Sequence, residues 1–114
     1  QAEQPSFQTK QYFQQLSELR REIYTCPERD WSVEACARMI GMSQSYFLKV
    51  YRKAFGWGCS QDIHHSKLAY AKKLLLQTDL ILQDIAEKCG YDYSHFMRLF
   101  KKEVGMTPSE YRLS

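Results

Sequence analysis

The sequence predicts an all-α fold in which one two-helix unit occurs twice. Apolar residues recur every three to four positions along most of the chain, and no segment alternates apolar and polar residues as a strand does. A stretch of sequence also repeats after 49 positions. At 114 residues, the chain is long enough for one domain with a substantial core. We therefore expect two helical units joined by a connecting helix and preceded by an N-terminal helix.

The first segment, residues 1–28, is predicted to be a linker followed by an amphipathic helix. Its apolar residues recur at alternating steps of four and three, and they are Tyr12, Leu16, Leu19 and Ile23. Pro27 marks the end of the helix. We expect this helix to lie on the domain or to join it to another one. Because the chain begins at Gln1 rather than Met, we also expect it to be part of a longer protein.

The repeat aligns without a gap when the chain is shifted by 49 positions. The matched pairs include Ala37 and Ala86, Gly41 and Gly90, Phe47 and Phe96, Lys49 and Arg98, and Gly56 and Gly105. Two amphipathic helices can align by chance, but glycines and a basic pattern do not easily stay in step. The same unit is therefore predicted twice, at residues 29–58 and 79–114.

Each unit has the start and stop signals of a helix, a tight turn and a second helix. In the first unit, Ser32 is a suitable N-cap and Gly41 tolerates the positive φ that ends a helix. Ser43 can cap the second helix, which we place at about residues 43–55 and end at Gly56.

The second unit repeats this order, with Gly90 at the turn and the second helix at about residues 93–104. A connecting helix is predicted at residues 59–78, because residues 60–77 contain no Gly or Pro. Thr107 and Pro108 open a short terminal helix as its cap and first residue.

The second helix of each unit leaves polar and basic side chains outside once its core face is assigned. Base edges need donors, acceptors and methyl-sized contacts, whereas phosphates need cations. The predicted base contacts are Gln44, Ser45, Tyr46, Leu48 and Lys49 in the first unit, and Tyr93, Ser94, His95 and Arg98 in the second. The predicted phosphate contacts are Arg52, Lys53, Lys101 and Lys102.

These two helices are predicted to enter successive major grooves of double-stranded DNA. Two such helices on one side of a duplex must lie about 34 Å apart. A helix over the 18 residues 60–77 is about 27 Å long, which is of the right order once the widths of the units are added. The alternative is a helical protein-interaction module, but such a module would not need basic clusters on both outward faces.

His95 also suggests a metal ligand or a general base. Its only titratable neighbour in sequence is Asp92, and no nucleophile completes a catalytic group. His64 and His65 are adjacent, so they point to different faces of a helix and cannot form a metal pair. The sequence therefore predicts no catalytic residues, no metal and no cofactor.

Charge and cysteine usage agree with a DNA-binding domain. Residues 1–30 hold four basic and five acidic side chains, and residues 31–114 hold twelve and eight, so the net charge of +3 arises in the repeat. The four cysteines form no C-x-x-C pair, no secretory signal opens the chain, and no apolar run approaches the roughly 18 residues of a membrane span. We expect free thiols, a cytoplasmic location and no membrane.

Residues 84–112 read DIAEKCGYDYSHFMRLFKKEVGMTPSEYR. Their I-A, G-Y, S-x-F, F-K-K, G-x-x-P and Y-R elements resemble the second unit of AraC/XylS-type bacterial transcription regulators. The resemblance extends over about residues 31–112 and implies sequence-specific binding of promoter DNA through two units in one chain. It also implies a separate effector-sensing or dimerising domain and RNA polymerase as a partner.

By position, the resemblance assigns base reading to residues of both units. They are Ser45, Tyr46, Leu48 and Lys49 in the first unit, and Tyr93, Ser94, His95 and Arg98 in the second. The chain departs from the family at Lys67, where an arginine is common in the connecting helix.

Overall fold

The computed structural model describes the backbone of residues 7–114, and the side chains of Lys10 and residues 12–114. Over that range there are seven α-helices and no strand, so the all-α prediction is confirmed. The helices are α1 (Phe7–Thr25), α2 (Val33–Ile40), α3 (Gln44–Phe55), α4 (Cys59–Gln77), α5 (Leu82–Lys88), α6 (Tyr93–Val104) and α7 (Pro108–Leu113). Residues 1–6 of the predicted linker lie outside the described part of the chain.

The helix ends follow local sequence signals. The side chains of Ser32, Ser43 and Thr107 each accept a hydrogen bond from the backbone N–H three residues later, as the caps of α2, α3 and α7. Thr107 also forms a reciprocal capping box with Glu110. Gly41 ends α2 with φ of 85°, a left-handed conformation that is costly for residues with a Cβ. The capping roles predicted for Ser32, Gly41 and Ser43 are therefore confirmed.

The described residues form two compact units, and the division between them falls within α4. The first unit contains the described chain up to Cys26 and then residues Trp31–His64. The second unit contains Pro27–Asp30 and His65–Ser114. The connecting helix α4 therefore contributes residues to both units.

The core of the first unit includes the N-terminal helix. Leu16, Leu19 and Ile23 of α1 are buried in one cluster with Phe47 and Tyr51 of α3. Burying side chains of this size stabilises the unit by about 1.5–3 kcal/mol each. The apolar stripe that predicted α1 thus packs against α3, and α1 is a structural part of the first unit.

A buried carboxylate links three helices of the first unit. Asp62 of α4 is fully buried and accepts hydrogen bonds from Nε and Nη2 of Arg20 at 2.8 and 3.3 Å. The hydroxyl groups of Tyr24 in α1 and Tyr51 in α3 also donate to it. Burial alone would raise the pKa of Asp62, but these donors outweigh it and hold the pKa below the ordinary value of 3.8.

The depressed pKa of Asp62 predicts a loss of stability in acid. A carboxylate whose pKa is lower in the folded state stabilises that state above its unfolded pKa, and this stability disappears as the pH falls through the folded pKa. We expect the urea midpoint of the first unit to fall more steeply between pH 5 and pH 2 in the wild type than in Asp62→Asn. Tryptophan fluorescence measures this, since Trp31 and Trp57, the two tryptophans of the chain, both lie in the first unit. Parallel pH profiles would contradict the expectation.

The second unit is organised around aromatic and aliphatic side chains of α4, α5 and α6. Its fully buried residues include Leu75, Ile85, Phe96 and Phe100. Arg112 of α7 donates hydrogen bonds to the backbone oxygens of Leu75 at 3.0 Å and Thr78 at 3.2 Å, where α4 ends. The Y-R element of the sequence therefore has a structural role, because it satisfies carbonyls that a helix end leaves unpaired.

Lys67 is buried in the second unit and binds backbone carbonyls. Its Nζ donates to the backbone oxygens of Pro27 at 2.7 Å and Arg29 at 2.6 Å. Burial lowers the pKa of the Lys67 ammonium. The compact ammonium of Lys67 thus holds the segment Pro27–Asp30 in place. The sequence indicated only that a lysine stands where the family commonly has an arginine, and it did not predict these contacts.

Candidate nucleic-acid interface

The turns before α3 and α6 have the same construction. Gly41 and Gly90 both have φ of 85°, and each is followed two residues later by the N-cap of the next helix. In the first unit this cap is Ser43. In the second it is Asp92, whose Oδ1 accepts a hydrogen bond from the backbone N–H of His95 at 2.7 Å. The two helices therefore begin in the same register relative to their turns.

Asp92 is a residue whose role the sequence interpretation missed. It was considered only as a titratable neighbour of His95, although a shift of 49 positions places it on Ser43. Asp and Ser are both preferred N-caps because their short side chains accept from the first turn. The repeat itself was therefore the signal that identifies Asp92 as the cap of α6.

The predicted contact residues of the first unit are all on the exposed surface of α3. Exposed side chains are Gln44, Ser45, Tyr46, Leu48, Lys49, Arg52 and Lys53. The opposite face of the helix is buried through Phe47, Val50 and Tyr51. The side chain of Tyr46 among them is 43% exposed. The structure thus leaves one continuous outward surface from the first turn of α3 to its last.

The second unit presents the equivalent surface on α6, with one difference at its edge. Tyr93, Ser94, Arg98, Lys101 and Lys102 are exposed. His95 is half-buried and packs edge-on against the ring of Tyr91, with centroids 5.0 Å apart and planes at 72°. A ring held in this way has a restricted orientation, unlike that of a freely exposed histidine.

Both surfaces have the charge that a polyanion requires. Helix α3 contains three cations and no acidic residue. Helix α6 also contains three, and its single acidic residue, Glu103, follows them. Cations in the last turn are also favoured by the helix dipole, so they stabilise the free helix as well. Each helix can therefore offer hydrogen-bonding groups near its start and positive charge farther along.

Other chemistry has little support among the described residues. Three cysteines, Cys36, Cys59 and Cys89, are buried and Cys26 is half-buried, and all four are free thiols. From residue 7 onward, no group of three His, Cys, Asp or Glu side chains is arranged to hold a metal ion. Within the same range, no helix is long and apolar enough to cross a membrane.

Comparison with known proteins places this geometry in a family. The family model described as a helix-turn-helix domain matches residues 36–114. An uncharacterized HTH-type transcriptional regulator of Escherichia coli, YijO, is 35% identical over 80 residues, which cover 69% of this chain. The chain spans only 28% of the length of that relative.

Solved structures share the fold. The C-terminal domain of AraT, a response regulator from Geobacillus stearothermophilus, superposes with a TM-score of 0.79 at 27% identity, covering 86% of this chain and 83% of that one. The DNA-binding domain of AdpA, solved in complex with a target DNA, has the same fold at 24% identity, with a TM-score of 0.75 and coverage of 86% and 89%. The chain belongs to the AraC/XylS-type helix-turn-helix family of DNA-binding transcription regulators.

Proposed function

We propose that α3 and α6 enter successive major grooves of a promoter and read its sequence. The observation that carries this proposal is the equivalence of the two helices. In both, the N-cap lies two residues after a left-handed glycine, and both helices expose polar groups first and cations afterwards. Two copies of one reading surface in a single chain suit a binding site made of two adjacent half-sites.

The residues divide into two roles according to their chemistry. Base edges are contacted by Gln44, Ser45, Tyr46, Leu48, Lys49, Tyr93, Ser94, His95 and Arg98. Phosphates are bound by Arg52, Lys53, Lys101 and Lys102, together with backbone N–H groups at the helix starts. Lys49 and Arg98 occupy equivalent positions, and each can donate to O6 and N7 of a guanine.

The whole protein is proposed to be a cytoplasmic bacterial transcription regulator that acts by binding rather than by catalysis. The chain covers 28% of the length of a relative described as a transcriptional regulator, which leaves room there for another domain. We propose that an effector-sensing or dimerising domain accompanies this one, and that RNA polymerase is a partner at the promoter.

Removing either base-reading cation is expected to weaken specific binding. We expect Lys49→Ala and Arg98→Ala each to cost about 1–3 kcal/mol on a selected site and to relax sequence preference at one position. Gel-shift titrations on selected and random DNA measure both effects. Lys73→Ala is the matched control, since this lysine is exposed on α4 rather than on a recognition helix. Equal losses on selected and random DNA would contradict base reading by the two residues.

The same titrations test the alternative of a protein-interaction module. Such a module would show no preference for selected over random DNA, and binding would depend equally on Lys49, Arg98 and Lys73. A clear preference that Lys73→Ala retains would exclude it.

A further inference from the structure

Leu48 and Met97 occupy equivalent positions in the two recognition helices, but their environments differ. Leu48 is 38% exposed on α3. Met97 is half-buried and packs against the core of the second unit. The first recognition helix therefore presents an apolar side chain in the middle of its reading surface, whereas the second uses the equivalent side chain for packing.

The neighbours of Leu48 along the helix surface are all hydrogen-bonding or charged groups. Gln44 precedes it by one turn, Ser45 by three residues, and Arg52 follows it by one turn. All three are exposed. A single exposed leucine is ordinary on a protein surface. This one lies between groups suited to base edges and a group suited to phosphate, so it would face base pairs in a bound complex.

A leucine in this position can contribute only an apolar contact. In the major groove the apolar group on a base edge is the 5-methyl group of thymine. Gln44, one turn away, has the amide that pairs with N6 and N7 of adenine. The part of the α3 surface formed by Gln44 and Leu48 therefore has the chemistry that suits A·T pairs.

The equivalent part of the α6 surface, at Tyr93 and Met97, has different chemistry. Tyr93 replaces the amide, and Met97 is partly withdrawn into the core. The exposed donor next to them is the guanidinium of Arg98, which favours O6 and N7 of guanine. The second unit thus depends on hydrogen bonds, without an exposed aliphatic group at this position.

We infer that Leu48 is a specificity-determining residue that contacts a thymine methyl group in the half-site of the first unit, while the second half-site is read through a guanine at Arg98. This inference rests on the proposed function and adds the chemical identity of one base in each half-site. It predicts an operator that is asymmetric in one respect: the first half-site has a thymine methyl contact without a counterpart in the second, although Lys49 and Arg98 can both bind guanine.

Removing single methyl groups from DNA tests the inference. A site selected from a random pool is synthesised with each thymine replaced in turn by deoxyuridine, which keeps base pairing but lacks the 5-methyl group. We expect one replacement to weaken binding of the wild type by about fourfold, the effect of one buried methyl-sized group. Leu48→Ala should bind the thymine and deoxyuridine sites equally. Fluorescence anisotropy at constant salt gives both affinities.

Two further variants control for folding and for position. Leu48→Asn retains the length and branched shape of the side chain without an apolar end, and it should lose the deoxyuridine response as Leu48→Ala does. Met97→Leu keeps an apolar group in the second unit, and its deoxyuridine profile should match that of the wild type. Circular dichroism checks that each variant keeps its helix content.

The second half of the inference is tested by replacing each guanine with 7-deazaguanine, which lacks the N7 acceptor. We expect one replacement to weaken the wild type by about fivefold and to leave Arg98→Ala unaffected.

The possible outcomes distinguish a failure of this inference from a failure of the proposed function. No preference for selected over random DNA would overturn both. Sequence preference with no thymine whose methyl effect depends on Leu48 would overturn the inference and leave the proposed function standing. Sequence preference with no guanine coupled to Arg98 would overturn the asymmetric assignment in the same way.

Discussion

Asp62→Ala is expected to lower the free energy of unfolding of the first unit by about 3 kcal/mol, the lower end for removing one partner of a buried ion pair. The buried hydroxyl of Tyr51 would lose its acceptor, and leaving a buried donor unsatisfied costs about 1–3 kcal/mol. Arg20 is 35% exposed, so solvent would compensate part of its loss. Urea unfolding followed by tryptophan fluorescence reports on this unit.

A matched control for Asp62→Ala is Glu34→Ala in the same unit. The Glu34 carboxylate is 73% exposed and lies 3.6 Å from Arg38 one turn away in α2. Exposed pairs of this kind contribute about 0.5 kcal/mol or less. If the two variants unfold at similar urea concentrations, Asp62 does not hold α1, α3 and α4 together as the hydrogen bonds indicate.

Specific DNA binding is expected to weaken by about a hundredfold between roughly 50 and 200 mM salt. The four proposed phosphate contacts, at Arg52, Lys53, Lys101 and Lys102, would give a slope of about −3.6 in a plot of log affinity against log salt. Counterions released from the DNA cause this dependence, so it should also occur on random DNA. Anisotropy titrations at several salt concentrations measure the slope.

Single substitutions should show which cations contribute to the salt dependence. Lys101→Ala is expected to reduce it by about 1, because one fewer phosphate is neutralised. Lys73→Ala should leave it unchanged, since that lysine is not among the proposed phosphate contacts. An affinity that stays constant over the same salt range would contradict phosphate anchoring.

The local structure of the recognition helices could be predicted because it depends on neighbouring residues. A glycine that permits positive φ, a capping side chain and an apolar stripe act within a few residues of one another. Gly41, Ser43 and Phe47 therefore indicated the turn, the start and the inward face of α3. The repeat extended the same interpretation to α6. It also aligns Asp92 with the cap Ser43, so the cap of α6 could have been predicted from the same local rule.

The buried polar residues of α4 were harder to predict because their partners are distant in sequence. Asp62 and Lys67 follow the same three- and four-residue spacing as the buried apolar residues of that helix. That spacing was a usable signal. Nothing local, however, indicates that Arg20 and Tyr24 reach Asp62 across 42 and 38 residues, or that Lys67 binds a carbonyl 40 residues away.

By itself, the sequence determined that this protein is an all-α chain with one helix-turn-helix unit used twice, and which residues of each second helix face outward, apart from the half-buried His95. Helical periodicity and capping suffice for this, since both are short-range. Only the tertiary structure decided that α1 belongs to the first core, that Asp62 and Lys67 are buried with their partners, and that Leu48 is exposed where Met97 is not. Those properties depend on which surfaces meet when distant segments pack, and packing of that kind is not encoded in the spacing of neighbouring residues.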